Sequence, residues 1–253
     1  MQRKHLFQLL LAVSLMILPT AAQEGPPSDV ARLYKVEAKQ GHATQFEEAY
    51  KQHLAWHKQQ KDTWRWDTWQ FITGENYGQY VVRTGNHSWA DFDNRGAMGT
   101  ADEADAVQRL TPHTEKTTSW LSRGLLDISH WPESAPPAMI VVTEYHLNSG
   151  ADQDWLFAVR KFHEALRKAN APFKYYFAAN VAGNEGTDYS LVSPRATWAD
   201  MNPPEKSFVV IVEGVLGRQE TQELLEKFNK AVHCSHTNML RYRADLSYAP
   251  PAM

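Results

Sequence analysis

Ala31-Arg32-Leu33-Tyr34-Lys35-Val36-Glu37-Ala38 lies over Ile140-Val141-Val142-Thr143-Glu144-Tyr145-His146-Leu147 at an offset of 109 residues, and the register then runs without a gap to residues 91 and 200. Both stretches read as strands, and each is followed by a turn glycine, Gly41 or Gly150. Gly74 falls over Gly183, Tyr80 over Tyr189, and Trp89-Ala90-Asp91 over Trp198-Ala199-Asp200. At offset 118, Asp127-Ile128-Ser129-His130-Trp131-Pro132 matches Asp245-Leu246-Ser247-Tyr248-Ala249-Pro250. Few aligned residues are identical, so the correspondence rests on element order, turn glycines and the closing motif.

Periodicity fills in the elements. In the first copy, a strand over Arg32 to Ala38 is followed by a helix from Ala43. Phe46, Ala49, Tyr50, His53, Trp56 and His57 share one face of that helix, and Glu47, Lys51, Lys58 and Gln59 cover the other. Trp64 to Thr73 is aromatic and β-branched, Glu75-Asn76-Tyr77-Gly78 supplies a turn, and Gln79 to Thr84 returns as a hairpin partner. Ser88 to Asp93 reads as a short helical turn. Ala101 to Leu121 reads as mostly helical, interrupted at Pro112, which lacks an amide proton. A last strand is expected from about Arg123 to His130. The second copy gives a strand at 138–147, a helix at 151–169 with the stripe Trp155, Ala158, Val159, Phe162, Ala165, Leu166 and Ala169, a strand at 173–182, its hairpin partner at 187–193, helices, and a strand at 239–248. Ser207 to Leu216 has strand propensity in its valines. Because the repeat has no fifth strand to match it, it is assigned as a buried helix.

Each copy therefore reads β-α-β-β-α-β, the split-βαβ or ferredoxin-like unit. The expected fold is α+β: two tandem ferredoxin-like repeats, residues 30–132 and 138–250, joined by a proline-rich linker at 133–137 and packed as one intrachain barrel. Face-to-face stacking of the two open sheets removes apolar area from water, at about 25 cal/mol per Å². In element order, in the Gly41 and Gly150 turns and in the Trp-Ala-Asp repeat, the chain resembles the dimeric α/β-barrel superfamily. Antibiotic-biosynthesis monooxygenases, EthD-like and NIPSNAP-like proteins and the haem-binding chlorite-dismutase group belong to it. These markers concern the fold, and no family's catalytic residues transfer to this chain.

The ends and composition narrow the setting. Arg3 and Lys4 precede an apolar run from Leu6 to Leu18 and the residues Pro19-Thr20-Ala21-Ala22. Residues 1–22 are read as a secretory signal peptide, too short in its apolar part to span a membrane. Export to the periplasm or the extracellular space is expected, with a soluble mature protein. The formal charge is −3 before removal of those two basic residues, so nucleic acid is a poor partner. The single cysteine, Cys234, excludes an intramolecular disulfide. Cys234 is expected on a helix ending Ala231-Val232-His233-Cys234-Ser235-His236, where only His233 and His236 would share a face. A plain helix end is favoured there over a metal site.

Candidate chemistry follows from strand alternation. Val141, Thr143, Tyr145 and Leu147 are assigned to the helix-facing row, which directs Glu144 and His146 into the barrel, with Lys35 and Glu37 at the aligned positions. Glu144 and His146 are candidate catalytic residues, as a general base with a carboxylate-tuned imidazole. Alternatives are a divalent-metal site with Glu37, or a solvated strand end with a Lys35–Glu144 salt bridge. Lys35, Glu37, Trp66, Tyr175 and Tyr176 are candidate ligand-binding residues, the aromatics because one row of the second strands should line the space between the sheets and stack a planar molecule. His53 and His57, one helical turn apart, have the spacing that lets two imidazoles share a metal or ligate haem, but they are expected to sit between helix and sheet, bonded to backbone or tyrosines, because Phe162 and Leu166 take their places in the second copy. Trp89 and Trp198 are expected to anchor helix packing. No phosphate loop, nucleophile elbow, Cys-x-x-Cys pair or His-Glu-x-x-His helix occurs. No resident metal or cofactor is expected. The reading is an exported protein that binds a small apolar or aromatic molecule. Its alternatives are a cofactor-independent monooxygenase-like enzyme and a partner-binding protein with a filled barrel.

Overall fold

The computed structural model describes residues 29–131, 135–183 and 186–251. The expected signal peptide lies outside them, as does part of the linker. The first half runs β1 (Val30–Ala38), α1 (Ala43–Gln59), β2 (Asp67–Phe71), β3 (Tyr80–His87), α2 (Trp89–Asn94), α3 (Gly96–Leu110) and β4 (Thr114–Gly124). The second half repeats that order as β5 (Met139–Leu147), α4 (Asp152–Lys168), β6 (Tyr176–Ala182), β7 (Tyr189–Arg195), α5 (Phe208–Leu216), α6 (Arg218–Ala231) and β8 (Val232–Tyr242). Among the described residues no helix is long and apolar enough to cross a membrane.

All eight strands close into one antiparallel barrel in the order β1-β3-β2-β8-β5-β7-β6-β4. Within each half the order is that of a ferredoxin-like unit, and two seams join the halves. In one, β2 pairs with β8 from Trp69↔Tyr242 to Phe71↔Leu240. In the other, β4 pairs with β6 from Leu121↔Ala182 to Gly124↔Ala178. Closure gives every strand a neighbour on both sides, through seams of three residue pairs at β2–β8 and four at β4–β6.

Period-2 alternation then sorts the side chains into two environments. The outer face of the first half, with Val36, Trp66, Tyr80 and Val82, packs on Phe46, Tyr50 and Leu54 of α1. In the second half Tyr175, Phe177 and Tyr189 pack on Trp155, Val159 and Phe162 of α4, with Val212 and Leu224 beyond. The third apolar cluster, with Trp69, Phe71, Val81, Ile140 and Leu240, is the barrel interior.

Two expected strands begin earlier than read. Helix α3 stops at Leu110, Pro112 lies in a single 3-10 turn, and Thr114 to Gly124 is strand rather than the end of a helix. Likewise the chain leaves α6 at Ala231, and Val232 to Tyr242 forms a ladder along all of β5, from Met139↔Arg241 to Leu147↔Val232. Cys234 and His236 are therefore strand residues two apart on one face, not helix residues pointing apart. The closing motifs are short 3-10 turns after the last strands, Leu126–Ile128 and Ala244–Leu246. Ser207 caps α5 as a helix, although only Val212 is fully buried and Val210 is exposed. Trp89 and Trp198 are also exposed, so they do not anchor packing. The Trp-Ala-Asp repeat is instead a capping signal: Asp91 with Ser88, and Asp200 with Thr197, form capping boxes.

Gly74 and Gly183, both at φ +78, press the two hairpin turns onto the seam strands. A Cβ at Gly183 would meet the Ser119 carbonyl oxygen at 2.5 Å, whereas one at Gly74 would meet the Asn238 side chain. Backbone cannot step aside, but an asparagine side chain can rotate. Gly183→Ala should therefore cost about 2 kcal/mol or more in urea unfolding, and Gly74→Ala measurably less.

Candidate functional site

The barrel is not filled. A cavity of about 530 Å³ runs between the two halves. Its waist is apolar, formed by Leu33, Trp69, Val81, Trp120, Val142 and Leu240. All strands present alternate residues to this space, so the lining follows from register. Ile140, Val142 and Glu144 face it on β5, while Tyr145 and Leu147 of the other row pack on the helices, as the alternation predicts.

One pole lies where β2 starts and β3 ends. Asp67 is buried there, taking Arg65 Nε on both carboxylate oxygens at 2.9 Å and the Tyr242 hydroxyl at 3.0 Å. Arg83, which pairs across from Asp67 on β3, projects into the cavity beside Gly85, where any Cβ would strike its guanidinium. Tyr176 joins it from β6, its hydroxyl lodged over Gly124. Burial raises the pKa of Tyr176, and the nearby Arg83 opposes that rise, so the phenol stays protonated at neutral pH as a donor. Asp67 is satisfied by Arg65 and Tyr242, and Arg83 enters no ion pair among the described residues. Ala135, Pro136 and Pro137 of the inter-repeat connection lie over this pole with Trp131.

At the other pole Lys35 and Glu144 occupy equivalent positions on β1 and β5, which stand opposite each other in the strand order. Lys35 Nζ donates to Asn76 Oδ1 at 3.5 Å. Glu37 lies beyond the cavity, in a small recess of about 90 Å³ with Lys35, Gln79 and Lys116. His146 is also beyond it. Although on the same strand row as Glu144, it stands at the strand end with its ring edge-on to His236, centroids 5.4 Å apart. There His146, Cys234 and His236 place one donor atom each within 4.8 Å of one another.

The sequence reading thus needs correction at several candidate residues. Lys35, Glu144 and Tyr176 line the cavity, but Glu37 and His146 sit past its rim. Trp66 and Tyr175 face the helices. Trp66 packs on α1 and donates its indole N–H to Asp62 at 3.0 Å, and Tyr175 bonds the His163 ring. Tyr175 and Tyr176 are adjacent in a strand and cannot share a face. The lining residues that the sequence reading left out of its binding set, Trp69, Arg83 and Trp120, obey the same alternation once Glu144 fixes the phase. His53 and His57 are buried as expected, but their partners are carboxylates rather than tyrosines.

No protein-family model matches the chain, and no curated protein matches it in sequence. Solved structures do match in shape. An anthrone oxidase-like protein superposes with a TM-score of 0.54 at 11% identity, over 89% of this chain and 94% of its own. A candidate monooxygenase from Lactobacillus acidophilus NCFM gives 0.54 at 7% identity, over 89% and 98%. The fold is that of the dimeric α/β-barrel proteins. A mutant chlorite dismutase from Candidatus Nitrospira defluvii, at 0.51 and 8% identity over 87% and 92%, shares the barrel as well. At such identities the likeness concerns architecture, and the chemistry must be argued from this chain's own lining.

One buried atom of the wall is informative in itself. Among the described residues, Trp69 Nε1 is buried with no hydrogen-bond partner, although Trp69 stands on the cavity wall. Trp66, on the opposite face of the same region, has its N–H satisfied by Asp62. Trp69→Phe should accordingly leave unfolding stability within about 1 kcal/mol of the parent. Trp66→Phe, which strips a buried carboxylate of a donor, should cost about 1–3 kcal/mol in the same urea titration.

Proposed function

We propose that the barrel binds one small, largely apolar aromatic molecule carrying a single acidic or hydroxyl group, with the ring at the waist and the polar group at the Arg83–Tyr176 pole. The observation that carries this reading is the 530 Å³ space itself, within the range of small-molecule sites. Trp69 and Trp120 supply stacking surfaces, and Arg83 with protonated Tyr176 offers charge-assisted and neutral donors to an oxygen anion. A solidly packed, purely structural barrel is disfavoured by the same volume. Export, which agrees with the residues 1–22 reading, would make this an extracytoplasmic binding protein.

A second reading has one observation in its favour. Glu144 brings a carboxylate to the rim of an apolar lumen, where it can accept a proton from an activated phenolic substrate before reaction with dioxygen. The fold shared with an anthrone oxidase-like protein and a candidate monooxygenase is compatible with such cofactor-independent chemistry. In this reading Glu144 acts without His146 at the reacting atoms.

Naphthoate tests the first reading. It should quench the cavity tryptophans saturably with one molecule per chain. Arg83→Met should weaken naphthoate about 10- to 100-fold while leaving neutral naphthalene little changed. Val142→Trp, which fills the waist, should abolish both. Non-saturable quenching, or binding indifferent to Val142→Trp, would remove the barrel from consideration. For the second reading, oxygen uptake with a polycyclic phenol should vanish in Glu144→Gln while binding persists.

A further inference from the structure

A second constellation lies outside the barrel, between α1 and α3, and none of its members lines the cavity. His53 and His57 sit one turn apart on α1, 5% and 1% exposed. The Nδ1 atom of each meets a carboxylate at 2.8 Å, His53 at Asp105 Oδ2 and His57 at Asp62 Oδ2. An ionised carboxylate only accepts, so each Nδ1 carries a proton, and the Nε2 of each ring is the atom left to bind a cation. The two Nε2 atoms face each other 3.2 Å apart. Asp102 Oδ1 completes the triangle at 3.3 Å from both. Three such atoms converging in a buried space need a proton or a cation among them.

We propose that His53 Nε2, His57 Nε2 and Asp102 Oδ1 hold one divalent first-row transition-metal ion, with zinc the best match in size. Tetrahedral zinc with bonds of about 2.0 Å spaces its ligand atoms about 3.3 Å apart, whereas an octahedral ion at about 2.1 Å brings neighbours to about 3.0 Å. The triangle of 3.2, 3.3 and 3.3 Å fits the tetrahedral case better. The surroundings are those a metal requires. Each imidazole gives its remaining N–H to a carboxylate, which fixes its tautomer and orientation. Arg95 grips both oxygens of Asp62 at 2.9 and 2.8 Å and Asp102 Oδ2 at 3.2 Å, so Asp102 keeps Oδ1 turned to the imidazoles. Arg109 holds Asp105 in the same way, at 2.8 and 2.9 Å. In the second half the corresponding positions, Phe162 and Leu166, are ordinary core. Helix-on-sheet packing therefore needs no histidines here, and the cluster is an addition peculiar to one half. A bound ion ties α1 to α3. The competing account places one proton between the two Nε2 atoms.

The test uses the mature protein carrying Cys234→Ala and His236→Ala, so that the donors at the barrel end cannot contribute. After treatment with a chelator it is titrated with cobalt(II) and with zinc(II). One equivalent of cobalt should give the intense visible bands of a tetrahedral ion without a near-ultraviolet thiolate band. Zinc at saturation should raise the melting temperature by about 5 °C or more. Asp102→Asn, which keeps the shape and removes the anionic ligand, should weaken zinc at least about tenfold. His53→Phe with His57→Leu, copying the second half, should fold and bind no metal. The proposal fails if the Cys234→Ala/His236→Ala protein takes up no metal and melts at the same temperature with or without it, because a shared proton then suffices. It fails equally if Asp102→Asn leaves affinity and cobalt spectrum unchanged.

Discussion

The interior of this protein exists because two backbone seams hold the halves in one sheet. At the first, Ile72 N–H donates to the Met239 carbonyl at 2.9 Å and Arg243 N–H to that of Thr68 at 2.8 Å. At the second, Leu125 N–H donates to the Phe177 carbonyl at 2.8 Å. A ferredoxin-like sheet alone has one face covered by its helices and one bare. Joining two such sheets edge to edge turns both bare faces inward, so apolar residues on the inner row leave water without having to fill the space they enclose. The hairpin glycines Gly74 and Gly183 let each half approach the other's last strand closely enough for those bonds to form.

The two halves share an element order but differ on both faces of the sheet. Inside, Asp67 of the first half stands at the position of Tyr176 in the second, and Arg83 at that of Val192, so one pole carries a cation, a phenol and a satisfied carboxylate. Outside, α4 covers its sheet with aromatic and aliphatic residues, while α1 carries two buried imidazoles in a net of carboxylates and arginines. Polar groups in such places are costly unless fully bonded. Here most are, and two places are informative. The Trp69 N–H is buried in the wall without a partner, and the Nε2 atoms of His53 and His57 face each other.

Much of this was legible in the sequence because the two halves follow one element order. The pairing of Ala31–Ala38 with Ile140–Leu147 located β1 and β5 and gave the phase that sends Glu144 inward. The absence of a fifth strand in the repeat made 208–216 a helix despite its valines. What stayed hidden has physical reasons. The polar run of β4, Thr114 to Ser119, looks like a helix surface because neither of its faces there is deeply buried. The strand β8 follows α6 directly, so an apolar stripe appeared to continue into Cys234 when the backbone had already changed period. The Asp62, Asp102 and Asp105 partners of the histidines come from a loop and a different helix, with no fixed spacing to reveal them. Trp66 and Trp69 differ only in parity, which a strand of uncertain start cannot supply.

Residue-resolved hydrogen exchange at the two seams tests the central claim most directly. If the halves close one barrel, the amides of Ile72, Arg243 and Leu125 exchange only through global unfolding, as slowly as amides in the middle of the β1–β4 and β5–β8 ladders. Seam amides exchanging at the fast rates of free sheet edges, while those ladders stay protected, would show two separate sheets with no enclosed interior.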